Sequence, residues 1–147
     1  MIIAGKFFME KNFQHSDITS QIINAYYNVY NTLGYGFLEK VYLKSLLIEL
    51  RKLGLKCRSQ ELIKVYYEGH EVGFYIADII VNECVIIEVK ASESLCIEHE
   101  AQLTNYLKAT DIEVGLLLNF GKEAEFKRKV FSSKYKSRKN HNLSSSS

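Results

Sequence analysis

Apolar residues recur at helical spacing twice in the first half of the chain. Ile18, Ile22, Tyr26, Val29 and Leu33 follow one another every three or four positions, the signature of one buried helix face. Ser16 and Asp17 precede the run as candidate N-caps, and Gly34-Tyr35-Gly36 ends it. A second helix is predicted from about Phe37 to Leu53, with Leu38, Val41, Tyr42, Leu46, Leu50 and Leu53 on its apolar stripe and Gly54 as the stop. After Gly54 the pattern changes. The stretch from Glu61 to Lys90 is dense in Ile, Val and Tyr and is broken by Glu68-Gly69-His70 and by Asn82-Glu83, which predicts a three-strand antiparallel meander. A third helix is expected from Ile97 to Lys108, then an apolar strand from Val114 to Asn119 ahead of Gly121. The segment from Glu125 to Ser132 fits a strand or a helix equally. The predicted fold is α/β: the antiparallel meander plus a further strand in a mixed sheet, flanked by helices.

At 147 residues the chain suits one hydrophobic core and one domain, expected over 17–132. An N-terminal extension is expected over 1–16 and a basic, Ser-rich, disordered tail over 133–147. With 47% hydrophobic and 24% charged residues, the composition excludes a disordered chain. No apolar run approaches the roughly 18 residues of a membrane span, and the opening MIIAGKFFMEKNF does not read as a signal peptide, so a cytoplasmic protein without a membrane partner is expected. Cys57, Cys84 and Cys96 form no C-x-x-C pair and read as free thiols. A net charge of +2 does not by itself argue for nucleic acid. Its distribution is more informative, because Lys127, Arg128 and Lys129 open a basic stretch that can contact phosphates or form an ordinary solvated tail.

The candidate chemistry lies in the meander. In IIEVKA, strand alternation sends Glu88 and Lys90 to one face and Ile87 and Val89 to the other. Charges in a core strand are costly unless paired or bound to a metal, and an isolated E-x-K is readily explained as a structural ion pair. Asp78 shifts the weight, since it interrupts the apolar run FYIADIIV on the preceding strand. Two adjacent buried carboxylates repel each other and favour a cation between them; hard oxygen donors suit Mg2+ or Mn2+. The turn decides whether they meet. A two-residue turn at Asn82-Glu83 pairs Asp78 with Ile87 and puts the acids on opposite faces, whereas a three-residue loop through Cys84 pairs Val81 with Val85 and sets Asp78 opposite Glu88. Glu39, in the first turn of the second helix, is a third candidate acid, although the helix dipole alone accounts for a glutamate there. His99, Gln102 and Tyr106 share one face of the third helix; Gln102 can orient a water or phosphate, and His99 reads as structural.

The string GFLEKVY, with Gly36, Glu39 and Tyr42 in a G-x-x-E-x-x-Y arrangement, resembles the signature of the GxxExxY family of the PD-(D/E)XK, or restriction-endonuclease-like, nuclease superfamily. Tyr66-x-Glu68-Gly69, Gly73 before Asp78, Glu88-x-Lys90-Ala91, His99-x-x-Gln102-x-x-Asn105-Tyr106-Leu107 and Gly115 to Gly121 are similar to the family pattern in the same order. The resemblance covers about Asp17 to Val130. It implies a restriction-endonuclease-like core that hydrolyses phosphodiesters in nucleic acid, DNA ahead of RNA, with Glu39, Asp78 and Glu88 holding Mg2+ or Mn2+. Lys90 and Gln102 complete the implied catalytic set. Ile76 departs from the pattern where a basic residue is expected, which removes one phosphate contact. Partners expected are nucleic acid and, as an open option, a second copy of the chain. A catalytically inactive module on the same fold, binding nucleic acid or protein, is the competing expectation.

Overall fold

The computed structural model describes residues 15–132, so the expected tail over 133–147 and nearly all of the expected extension over 1–16 lie outside the described residues. Two helices, α1 (Ser16–Leu33) and α2 (Glu39–Lys52), precede the strands β1 (Cys57–Tyr67), β2 (His70–Val81) and β3 (Val85–Lys90). Helix α3 (Ile97–Lys108), β4 (Val114–Phe120) and β5 (Ala124–Val130) follow. The strands form one five-stranded sheet in the order β1-β2-β3-β4-β5. The first three make the antiparallel meander. Parallel pairing of β3 with β4 requires a crossover, which α3 supplies. The stretch whose pattern fitted either element is β5, antiparallel to β4 at the sheet edge.

Several boundaries differ from the sequence reading. Ser16 and Asp17 lie inside α1 rather than capping it, because the N-cap position falls on His15, at φ 57° and without a side-chain cap. Helix α2 begins at Glu39, so Leu38 and Leu53, placed on its apolar stripe by spacing, flank the helix and are 68% and 51% exposed. Strand β1 starts at Cys57, where pairing of Cys57, Arg58 and Ser59 with Val81, Ile80 and Ile79 overrides a locally polar sequence.

Alternation along the central strands builds two cores. Ile79, Val81, Val85, Ile87, Val89, Leu116 and Leu118 pack against α1 and α2 through Ile22, Tyr26, Leu46 and Leu50. Ile80, Ile86 and Leu117 point the other way and pack against Leu103, Tyr106 and Leu107 of α3. Gly115 makes that second contact close, since a Cβ there would lie 2.7 Å from Leu103 Cδ1. No described helix is long and apolar enough to cross a membrane.

Aromatic residues tie the helices to the ends of β4 and β5. Tyr42 stacks on Phe120, with ring centroids 4.2 Å apart and planes 12° from parallel. The buried Tyr26 hydroxyl donates to the Asn119 carbonyl and accepts the Glu125 N–H at 3.0 Å. Removing that oxygen strands a buried acceptor and a donor, at a cost of about 1–3 kcal/mol. Tyr26→Phe should therefore lower unfolding free energy by that amount in urea denaturation without changing the fold. An unchanged midpoint would show that the hydroxyl contributes no net stability.

Candidate active site

The site forms where the β2–β3 ladder stops. Both central turn residues, Asn82 and Glu83, have positive φ (49° and 57°), as a type I′ turn requires, and Cys84 N–H closes onto the Val81 carbonyl at 3.0 Å. The strands then pair as Val81 with Val85, Ile80 with Ile86 and Ile79 with Ile87. This is the three-residue-loop register, and one step further it sets Asp78 across from Glu88. Backbone pairing ends there. The Asp78 N–H donates to Glu88 Oε1 at 3.0 Å, and the Val89 N–H donates to Asp78 Oδ2 at 2.8 Å, so the two carboxyls serve as acceptors for backbone N–H groups where the ladder stops. On the other side of β2, Ser59 pairs with Ile79 and Glu61 with Ala77, leaving Gln60 beside Asp78. Gln60 has φ 55°, an uncommon conformation for a residue with a side chain, so the irregularity at Asp78 extends across two strands.

Burial and repulsion dominate the electrostatics. Glu88 is only 3% exposed. Desolvation first, and then the Asp78 charge, push its pKa up to about 8. Asp78 is also raised, chiefly by burial, with Glu39 adding repulsion; the Val89 N–H and Lys90 act in the opposite direction. In the absence of a cation, Glu88, the more deeply buried acid, holds the proton between them.

Lys90 shares the Glu88 face, and its Nζ donates to Gln102 Oε1 at 3.0 Å. Because an ammonium only donates, the Gln102 amide oxygen must face it, leaving the amide nitrogen for the Tyr106 hydroxyl. The Tyr106 pKa is raised to about 12, by burial and then by the negative charges of Glu88 and Asp78, which places this phenol at the acidic centre. No salt bridge among the described residues joins Lys90 to either acid, so the structural Glu–Lys pair allowed by the E-x-K spacing is not formed.

Glu39 approaches from α2. The Tyr42 hydroxyl donates to the Gly34 carbonyl at 2.7 Å and accepts the Phe37 N–H at 3.1 Å. Gly36 turns the intervening chain at φ 109°. The outer residues of the G-x-x-E-x-x-Y string thus shape the loop that starts α2 at Glu39. That carboxylate is exposed yet near enough for its charge to act on Asp78. Among the described residues, no three acids, histidines or cysteines form a compact metal-binding cluster. Glu39 is therefore not brought into a tight triad with Asp78 and Glu88.

The remaining pair still suits a hard cation. Each acid commits one oxygen to a backbone N–H and the two carboxyls also bond to each other, a contact that a cation could take over; magnesium commonly uses one or two carboxylates with water and substrate phosphate completing its shell. The basic run is divided by β5. Lys127 and Lys129 pair with Leu117 and Gly115 on the α3 side, whereas Arg128 pairs with Leu116 on the opposite side. Lys129 also contacts Glu100 at 2.5 Å. His99 has the structural role expected of it, its Nδ1 accepting the Cys96 N–H at 3.3 Å at the start of α3. Tyr75, whose ring centroid lies 5.5 Å from that of Tyr106, was not singled out by the sequence, where it is one of many aromatics in a strand.

The protonated Glu88 has a consequence for stability. A carboxyl raised from 4.5 to about 8 on folding contributes stability that is fully present below the lower value and is lost as pH rises through the upper one. In a metal chelator the wild type should lose stability across that window, on the order of a few kcal/mol. Glu88→Gln, which cannot ionise, should flatten the slope. Urea denaturation at a series of pH values checks this, and equal slopes in both proteins would contradict a proton held on Glu88.

A solved crystal structure, that of SSO0001, superimposes with a TM-score of 0.50 at 18% sequence identity, over 71% of this chain and 56% of the other. The chain thus spans little more than half of that protein, and the likeness shows the fold alone. No curated protein matches the chain. The sequence profile of the PD-(D/E)XK nuclease superfamily matches residues 16–130, from the start of α1 to the end of β5. With that match over the whole folded core, the chain belongs to the PD-(D/E)XK nuclease superfamily.

Proposed function

We propose that the protein is a divalent-metal-dependent nuclease of the GxxExxY kind that hydrolyses phosphodiester bonds in nucleic acid, DNA ahead of RNA. One observation carries this reading: the buried Glu88 carboxyl and the half-buried Asp78 carboxyl meet where a strand ladder stops, with a lysine on the same face that forms a salt bridge with neither. Asp78 and Glu88 would hold Mg2+ or Mn2+, and Glu39 would extend the shell through water. The bound cation lowers the pKa of water and offsets phosphate charge. Lys90 stabilises negative charge on the phosphoryl oxygens as the bond breaks, and Gln102 keeps its ammonium in place. Lys127, on the α3 side of the sheet and exposed, would contribute a phosphate contact outside the reacting centre.

Cation binding has a readout that does not depend on turnover. Magnesium or manganese should raise the melting temperature of the wild type, because an ion bound only by the folded chain stabilises it by mass action. Asp78→Ala and Glu88→Ala should each remove the shift. A metal response that survives both changes would dismiss these acids as the ligands.

Catalysis separates from binding at Lys90. With magnesium or manganese, and on single- and double-stranded DNA and RNA, Lys90→Ala should lower cleavage by roughly a hundredfold or more while weakening affinity only modestly. Lys127→Ala should instead reduce affinity and the salt dependence of binding by about one phosphate contact, with little effect on saturated turnover. Wild-type protein that binds nucleic acid but cuts none of these substrates would establish a binding module.

A further inference from the structure

Beside the acidic centre, Tyr75 of β2 and the α3 residues Glu98, Ala101, Gln102, Asn105 and Tyr106 line a hollow of about 240 Å³. We propose that this hollow is a nucleobase subsite, so that the preferred substrate carries an unpaired base next to the phosphodiester being cut. The inference rests on the nuclease reading above and adds the form of nucleic acid that the site takes.

Size, chemistry and position support it. The volume lies below the roughly 300–1,000 Å³ typical of drug-sized ligand pockets and suits one flat ring system. Tyr75 supplies an aromatic surface that is 46% exposed, braced from behind by Tyr106, which is 3% exposed and tilted 47° to it. A propped, half-exposed ring is a stacking platform, usable by any base because every base has a π face. Asn105 lies one turn after Gln102 and is exposed, so its amide offers a donor and an acceptor to a base edge. Glu98 adds an acceptor for an exocyclic amino group. An apolar side chain from a protein partner would leave those polar groups without partners.

The hollow is also connected to the reacting centre. Gln102 lines it and at the same time accepts Lys90 Nζ at 3.0 Å, so a base seated there would hold its phosphate near the lysine. Bases within a continuous duplex are stacked and paired, and extruding one costs a few kcal/mol, whereas a single strand, loop or flap presents it without that cost.

The test uses oligonucleotides of DNA and of RNA, each as a single strand and as a perfect duplex, with 2-aminopurine at one position to report stacking. Wild type, Tyr75→Phe, Tyr75→Ala and Asn105→Ala are compared for cleavage with magnesium or manganese and for affinity in a chelator. The wild type should cut single strands faster than duplex and quench the 2-aminopurine signal. Tyr75→Ala should weaken single-strand binding by about tenfold to a hundredfold and erase the strand preference, with Tyr75→Phe restoring both. Asn105→Ala should alter which base is preferred while keeping the quench. Duplex cut as fast as single strand by the wild type, or single-strand binding unaltered in Tyr75→Ala, would overturn the subsite while leaving the nuclease reading in place. A wild type that neither binds nor cuts any of the four substrates removes the nuclease reading and this inference with it.

Discussion

The arrangement depends on two carboxyl groups being held together inside the sheet. Pairing of β2 with β3 ends at Ile79 and Ile87, and beyond it the N–H groups of Asp78 and Val89 have side-chain rather than backbone acceptors. A buried donor left without an acceptor costs about 1–3 kcal/mol. The acids remove this cost, Glu88 taking the Asp78 N–H and Asp78 taking the Val89 N–H. The same bonds fix the carboxyls in place, so the backbone irregularity and the acidic pair support each other. What they leave uncompensated is repulsion and desolvation, and these raise both pKa values. A cation or a shared proton relieves that residue of strain, which makes the pair a poor stabiliser of the fold and a suitable seat for an ion.

Everything around this point positions it. The chain leaving β3 is pinned to β4 by Asn119, whose side chain accepts the Ser92 N–H and donates to the Ser92 carbonyl, both at 2.9 Å. Glu125 of β5 then accepts the Leu95 N–H at 2.9 Å, so α3 starts from a fixed place and carries Gln102 to Lys90. On the other face, Tyr42 both stacks on Phe120 and closes the loop ahead of Glu39. The two helix layers are thus referenced to the same pair of strands, β4 and β5, which themselves supply none of the charged groups of the acidic centre.

Much of this was legible in the sequence, and the reasons differ by residue. The period of the apolar positions gave α3 and the central strands, because burial on a sheet or helix face imposes that period directly. The acids stood out because Asp78 and Glu88 interrupt runs that are otherwise apolar. Their meeting depended on a one-residue difference in turn length, and the pattern allowed both outcomes until the Val81–Val85 pairing selected one. The start of β1 was illegible because its first residues are polar and strand only by pairing with Val81, Ile80 and Ile79. Glu39 could be seen but not located, since its approach to Asp78 depends on a loop whose shape is set by the Tyr42 hydroxyl. The run Lys127-Arg128-Lys129 looked like one basic patch until β5 formed and alternation placed its members on two faces.

The partner chosen by Lys90 distinguishes this site from an ordinary ion-pair network. The salt bridges at Lys52–Glu49, Arg58–Glu61, Arg58–Glu83, Lys64–Glu71 and Lys129–Glu100 join a cation to a carboxylate on exposed or partly exposed surface. Such pairs satisfy both charges and, screened by solvent, add little to stability. Lys90 has two acids within its electrostatic reach and bonds to neither; it donates to an amide. An amide oxygen orients an ammonium without cancelling its charge, so the positive field stays open toward the space beside the acids. A single site then offers acidic oxygens for a cation and an unneutralised cation of its own. A sheet strand reading Glu88-Val89-Lys90 sets an acid and a base side by side on one face with a single alternation, and the amide partner keeps them from closing on each other.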